Sequence, residues 1–177
     1  MTGDWLSGPM GHVLLAALLI VPRLAGDASL SSRNERYLRG AGAVEPPGDV
    51  YPVMRVVYPA AFIAMFAESV LRGGPSLHWW SIGALIWLVA RSLKDWAMAT
   101  LGDRWCFRVL PLPDVVLVSR GPYRWMRHPN YVAVAGELTG AAVMLAAPLS
   151  GTVFTLAFLE IMRRRIGVEE RALGIRT

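Results

Sequence analysis

The 177-residue sequence contains a single cysteine, Cys106. One thiol closes no intrachain disulfide and anchors no structural zinc site, so we read it as a small buried or interfacial side chain and expect no metal. No G-x-G-x-x-G turn follows a strand-like run, which closes the Rossmann route to a nucleotide cofactor. Internal repeats and low-complexity segments are absent. The stretch before the first apolar run holds Asp4 but neither Lys nor Arg, the wrong start for a secretory signal, so that run is kept as a membrane helix. A basic stripe is missing too. The formal charge of +5 comes from residues set between apolar runs, and nucleic acid is therefore not an expected partner.

What the sequence has in excess is apolar surface: 54% of its residues are hydrophobic and seven are Trp. That is more than a soluble domain of this size usually buries. Hydrocarbon about 30 Å thick asks for roughly 20 apolar residues per helix, fewer where Trp, Tyr or Arg anchor an end. Such runs occur at Met10 to Leu24, which ends at Pro22-Arg23, at Tyr51 to Leu71, closed by Gly73-Gly74-Pro75, and at Leu77 to Ala90. A basic helical extension, Ser31 to Arg39, and a turn-rich loop through Pro46-Pro47-Gly48 separate the first two. From Arg91 to Arg127 the chain turns polar, broken by Gly102, Pro111, Pro113, Gly121 and Pro122. Tyr131 to Leu159 then gives two antiparallel helices with a turn at Pro148-Leu149-Ser150-Gly151.

The expectation is an all-α, polytopic integral membrane protein with about five transmembrane helices. Residues 1–100 form an N-terminal membrane part, and residues 101–177 a cofactor-binding and catalytic part. Cations gather at Arg33 to Arg39, Arg91 to Arg127 and Arg163 to Arg165, while the two other connections share only Arg72. This places the N-terminus outside and the C-terminus and active site in the cytoplasm.

Two clusters carry the chemistry. Gly121-Pro122-Tyr123-Arg124-Trp125-Met126-Arg127-His128-Pro129-Asn130-Tyr131 enters the fourth span, a backbone fixed by Gly and Pro and bearing cations, a histidine and tyrosines. Alone, it reads equally as an interfacial anchor. Arg163 to Leu173 continues the last span; Arg165 and Glu169 stand four apart and could simply pair. Together the clusters offer a cationic and an anionic clamp, which a ligand with both a carboxylate and an ammonium needs. S-adenosyl-L-methionine is such a molecule. Glu68, Glu137 and Glu160 fall within spans, where carboxylates are costly and tend to be functional. Glu137, six residues after Tyr131, is a candidate for the same cavity.

The run Leu117 to Tyr123, then Arg127-His128-Pro129-Asn130-Tyr131, then Arg165-Ile166 with Glu169-Glu170 and Leu173, resembles the isoprenylcysteine carboxyl methyltransferase family, over roughly Leu101 to Leu173. Arg33-Asn34-Glu35, Gly42-Ala43-Val44-Glu45 and Tyr51-Pro52-Val53-Met54 are similar to its bacterial branch, associated with type III polyketide synthases, that O-methylates alkylpyrones or alkylresorcinols. The resemblance implies a helical membrane methyltransferase with S-adenosyl-L-methionine in a pocket open to the cytoplasm and a lipophilic or prenylated substrate entering from the membrane lipid. It implies Val118, Gly121, Pro122, Tyr123, Arg127, His128, Pro129, Tyr131, Glu169 and Glu170 as cofactor contacts. Arg165, Glu170 and His128 would be catalytic, and Arg165 and Glu137 would meet the acceptor.

The sequence departs from the family at Ala133, where Gly is common, and in its final Gly174-Ile175-Arg176-Thr177, which lacks the usual Phe-Gly and Tyr. The second departure points away from isoprenylcysteine as the acceptor more than from methyl transfer. Two rivals remain: an NADPH-dependent sterol-type reductase, since such enzymes share a His-Pro-Asn-Tyr element, and a non-catalytic lipid-binding protein.

Overall fold

The computed structural model describes residues 8–112 and 117–174; Asp4, Pro113 and the tail from residue 175 lie outside them. Five α-helices follow one another: α1 (Pro9–Gly40), α2 (Tyr51–Leu71), α3 (Leu77–Leu101), α4 (Pro129–Met144) and α5 (Pro148–Ala172). Short 3-10 turns occupy Gly102–Arg104 and Gly121–Arg124, and no strand occurs among the described residues. Proline opens α1, α4 and α5, where its missing N–H is one the helix could not use anyway.

Three boundaries differ from the sequence reading: the turn between α4 and α5 falls on 145–147, with the expected Pro148-Leu149-Ser150-Gly151 already helical, and two helices run past their expected ends. α1 does not stop at Pro22 but runs on through the basic extension, at 32 residues about 48 Å long. A proline deletes one backbone bond, and a helix packed against neighbours tolerates the loss. α3 likewise continues past Ala90 to Leu101. Arg91 and Lys94, expected in a cytoplasmic connection, are therefore helical and only 5% and 1% exposed.

Close backbone contact holds α3 to α4. A Cβ on Gly83 would fall 2.0 Å from the Met144 nitrogen, one on Gly140 2.6 Å from the Trp87 nitrogen, and one on Gly136 2.7 Å from the Ala90 Cβ. Small residues let helices approach in this way where lipid removes the hydrophobic drive to associate. Ile20, Phe62, Met65, Trp87, Leu138 and Phe158 fill the core between helices. The α5 start has no cap of its own. Instead Glu68 of α2 accepts bonds from the Leu149 and Ser150 nitrogens (3.1 and 2.7 Å) and from the Ser150 hydroxyl (2.6 Å), which accounts for this intramembrane acid structurally. Glu160 is spent on Arg163 and Arg164 at the surface.

α1 and α2 are each long and apolar enough to cross a bilayer. Leu18, Ile63, Leu85 and Leu156 point out of the bundle, as lipid-facing side chains do.

Candidate functional site

The site forms where the first turn of α4 meets the last turns of α5. Gly121 sets up the approach: it has φ +58°, and a Cβ there would strike the Thr100 hydroxyl at 2.4 Å, so glycine alone lets this loop lie on the end of α3. Trp125 packs edge-on against Trp96 (5.5 Å between centroids), fixing the loop laterally. The chain then delivers Arg127 and His128 to the start of α4.

Across from them, Arg165 and Glu169 share one face of α5, yet they do not pair directly. The Tyr131 hydroxyl stands between them, accepting from Arg165 Nε (2.8 Å) and donating to Glu169 Oε2 (2.6 Å). His128 Nε2 faces Glu170 Oε1 at 3.3 Å and its Nδ1 faces Glu169 Oε2 at 3.8 Å, so either ring nitrogen meets a carboxylate. Arg127 approaches Glu170 at 3.9 Å. The two clusters read from the sequence thus share one locus.

They border a cavity of about 570 Å³, within the roughly 300–1,000 Å³ usual for small-molecule sites. Val118, Tyr123, Arg127, His128, Tyr131, Arg165 and Glu169 stand on its wall; Gly121, Pro122, Pro129 and Glu170 do not. The glycine and prolines shape the loop, while Glu170 sits behind His128 at 7% exposure. Burial, helped by the charge of Glu169, pushes the Tyr123 phenol well above its ordinary range, so it stays a neutral donor. Leu24, Met54, Pro59, Val134 and Phe158 give the wall an apolar part, beside which Arg55, Tyr58, Lys94 and Arg108 also line it.

Several residues that brace this cluster left no usable signal in the sequence. Asp49, with its side chain 3% exposed, accepts from the Val109 and Tyr51 nitrogens (3.2 and 3.0 Å) and lies 3.5 Å from Arg165 Nη1. Arg165 also donates to the Phe107 carbonyl and contacts Met54 Sδ at 3.3 Å. The guanidinium is therefore braced from three directions.

The N-terminal motif residues converge on this same stretch. Asn34 donates to the Trp105 and Gly102 carbonyls, Glu35 and Glu45 pair with Arg108, and Tyr51 stacks on Phe107. Burial opposes the charge on Arg108, but its bonds to Glu45 and the field of Glu35 outweigh that and raise its pKa.

Glu137 is not on the wall. At 2% exposure it accepts from Tyr58 Oη and Lys94 Nζ, both at 2.9 Å, and lies 3.5 Å from Arg91. Arg91 binds Asp27 with two 2.8 Å bonds, and Lys94 binds it at 2.8 Å. Two buried anions and two buried cations balance, as such a burial requires. Tyr58 and Lys94, which shield Glu137, are themselves wall residues.

A family model for the isoprenylcysteine carboxyl methyltransferases matches residues 83–175, from within α3 through α5. The chain belongs to this family. Relatives extend the likeness upstream. The uncharacterized protein YpbQ of Bacillus subtilis is 32% identical over 160 residues, covering 90% of this chain and 95% of its own. The protein-S-isoprenylcysteine O-methyltransferase of Tribolium castaneum is 30% identical over 69% of this chain. Protein-S-isoprenylcysteine O-methyltransferase A of Arabidopsis thaliana is 28% identical over 64%. The matches span 45% and 60% of those two enzymes' lengths, about half. Within the family frame, Asp49, Met54 and Tyr58 come from the segment that precedes the matched region, so α1 and α2 complete a site whose signature lies in α4 and α5.

Proposed function

We propose that this protein is a multi-pass membrane O-methyltransferase that uses S-adenosyl-L-methionine and acts on a lipophilic acceptor. The observation that carries this reading is the chain Arg165–Tyr131–Glu169 on the wall of a mainly apolar cavity, with His128 beside it backed by Glu170.

The residues present suit such a methyl donor. Arg127 and Arg165 are cationic, Glu169 is anionic, and Tyr123, His128 and Tyr131 offer flat faces within one cavity. Glu169 and Glu170 would take the donor's ammonium or adenosine end, while Val118, Tyr123, Arg127 and His128 would enclose it, on a loop that Gly121, Pro122 and Pro129 shape. When bound, the donor supplies a methyl group on a sulfonium, open to in-line displacement by an oxygen.

What remains for the protein is to align the two molecules and exclude water. Arg165 is built for alignment. With Asp49, Phe107 and Tyr131 holding it, the guanidinium needs no reorganisation to meet an acceptor oxygen. A carboxylate acceptor, as in isoprenylcysteine, arrives ionised and needs only this. An alkylpyrone- or alkylresorcinol-type hydroxyl must lose a proton, and His128, backed by two carboxylates, is placed to take it. Glu137 acts on the acceptor through Tyr58 and Lys94.

The membrane frame is supported by α1 and α2, each long and apolar enough to cross a bilayer. From Met144 to Tyr131, α4 advances about 20 Å, which supports a site at the membrane boundary, at the end of the bundle that carries the polar stretch. All five helices cross, with the N-terminus outside and the C-terminus in the cytoplasm.

Calorimetry on the detergent-solubilised protein tests the reading. S-adenosylhomocysteine should bind and NADPH should not. Binding of NADPH without S-adenosylhomocysteine would make the protein a reductase instead.

A further inference from the structure

Of the 18 Lys and Arg side chains in the sequence, Lys94 is the one lysine. It lies deep in the bundle at 1% exposure, yet it stands on the cavity wall. Its ammonium has three N–H donors. Two go to carboxylates, Asp27 at 2.8 Å and Glu137 at 2.9 Å. The Tyr58 ring lies 5.7 Å away and takes no hydrogen bond in that geometry. No described residue provides an acceptor for the third donor.

Arg91, by contrast, is saturated by Asp27 and Asp95 and is absent from the wall. The difference is chemical. A guanidinium donates in a fixed planar fork, whereas an ammonium keeps three donors that rotate about one bond, so two can be anchored while one is offered elsewhere. A buried donor left without a partner is costly, and the cavity is the space this one adjoins.

The position is set by helix geometry. Glu137, which holds Lys94, comes six residues after Tyr131, about 9 Å further along α4 and away from the acid pair. Phe158 and Val134 line the same cavity, so the ammonium offers polarity in otherwise apolar surroundings. The four buried charges cancel, and Asp95, which also pairs with Arg91, is half-exposed and lies 3.8 Å from Arg23, so the site has a hydrogen bond to give without a net charge to neutralise. That suits an uncharged, strongly accepting oxygen better than a free anion.

We propose that Lys94, presented by Asp27 and Glu137 and flanked by Tyr58, is an acceptor-binding subsite for a carbonyl oxygen on a lipophilic molecule. This rests on the reading of the cavity as the place where the acceptor binds, and it narrows the substrate class. The acceptor carries a carbonyl-type oxygen distinct from the one that is methylated, set into the apolar part of the cavity.

Binding tests this without any methyl transfer, so its failure is distinguishable from failure of the methyltransferase reading. Trp105, on the cavity wall, reports occupancy by fluorescence in the solubilised full chain. The probes are a long-chain methyl ketone and the alkane of equal length, each titrated into wild type and into Lys94→Met/Glu137→Gln. The double substitution keeps the buried charges balanced where Lys94→Met alone would strand a carboxylate. Each probe partitions into detergent alike for both proteins, so the ratio between proteins isolates the contact. The ketone should lose about tenfold in affinity, as expected for one hydrogen bond to a charged donor, and the alkane should lose none. Equal loss for both probes, or none for either, would overturn the subsite.

A second measurement needs no variant. The infrared carbonyl band of a carbon-13-labelled ketone should move to lower frequency on binding wild type, and an unmoved band in the bound state would refute the contact.

Discussion

At the scale of single residues, Arg165 and Glu170 matter for how their neighbours hold them. Arg165 is 4% exposed and held by Tyr131, Asp49, Met54 and Phe107, which leave one Nη2 hydrogen to offer, so it is both a positioned cation and a brace. Removing one pre-organised donor from such a site typically lowers turnover about 100- to 1,000-fold. Arg165→Ala should fall in that range, and Glu170→Ala, which releases His128, should lose turnover comparably; a methyl-transfer assay on protein that elutes as a single folded species checks both.

Cys106 makes a different prediction. Burial pushes its thiol up to about 11, and the hydrogen bond it gives the Arg108 carbonyl does not reverse this. The thiolate therefore appears only as pH rises towards that value. At pH 8 alkylation by iodoacetamide should run about 100-fold slower than for the unfolded chain, and the rate should climb until pH nears 11. Fast labelling at pH 8 would mean an open segment around Cys106.

Among the helices, the contact that matters most to the fold is α3 against α4. Gly83, Gly136 and Gly140 permit it, and no flexible side chain stands ready to yield, because Gly140 faces the Trp87 backbone. Gly140→Leu should prevent a stable fold, seen as loss of the monodisperse species in detergent, whereas Gly26→Ala, with nothing near the added methyl, should be neutral.

The bounds of α2 were legible from an apolar run punctuated by glycine and proline, whereas the α4–α5 turn falls on 145–147, just before the expected one, because Pro148 opens α5 instead of breaking the chain. The continuity of α1 was not, since Pro22 reads locally as a stop and only tertiary contacts carry the helix past it. The extension of α3 was hidden for a related reason: Arg91 and Lys94 look solvated until Asp27 and Glu137, distant in sequence, are brought to neutralise them. Asp49 was equally silent, an ordinary turn residue whose partner lies on another helix.

For the whole molecule, an odd number of crossings requires the two termini on opposite sides of the membrane. Accessibility reporters at both ends should give opposite results in intact cells, and matching results would remove the five-span arrangement. The cavity unites contributions from every helix, with His128, Arg165 and Glu169 on its wall and apolar lining from α1, α2 and the stretch that follows α3. On the proposed reading, one cavity would serve both a water-soluble donor and a lipid-soluble acceptor.

The most direct measurement is transfer of label from S-adenosyl-L-methionine to lipid by the purified protein, run in parallel with an isoprenylated cysteine analogue and an alkylpyrone. Label should appear in at least one acceptor with wild type and vanish with Glu170→Ala. Label in neither acceptor nor in a whole lipid extract, from protein that is folded, would contradict the account.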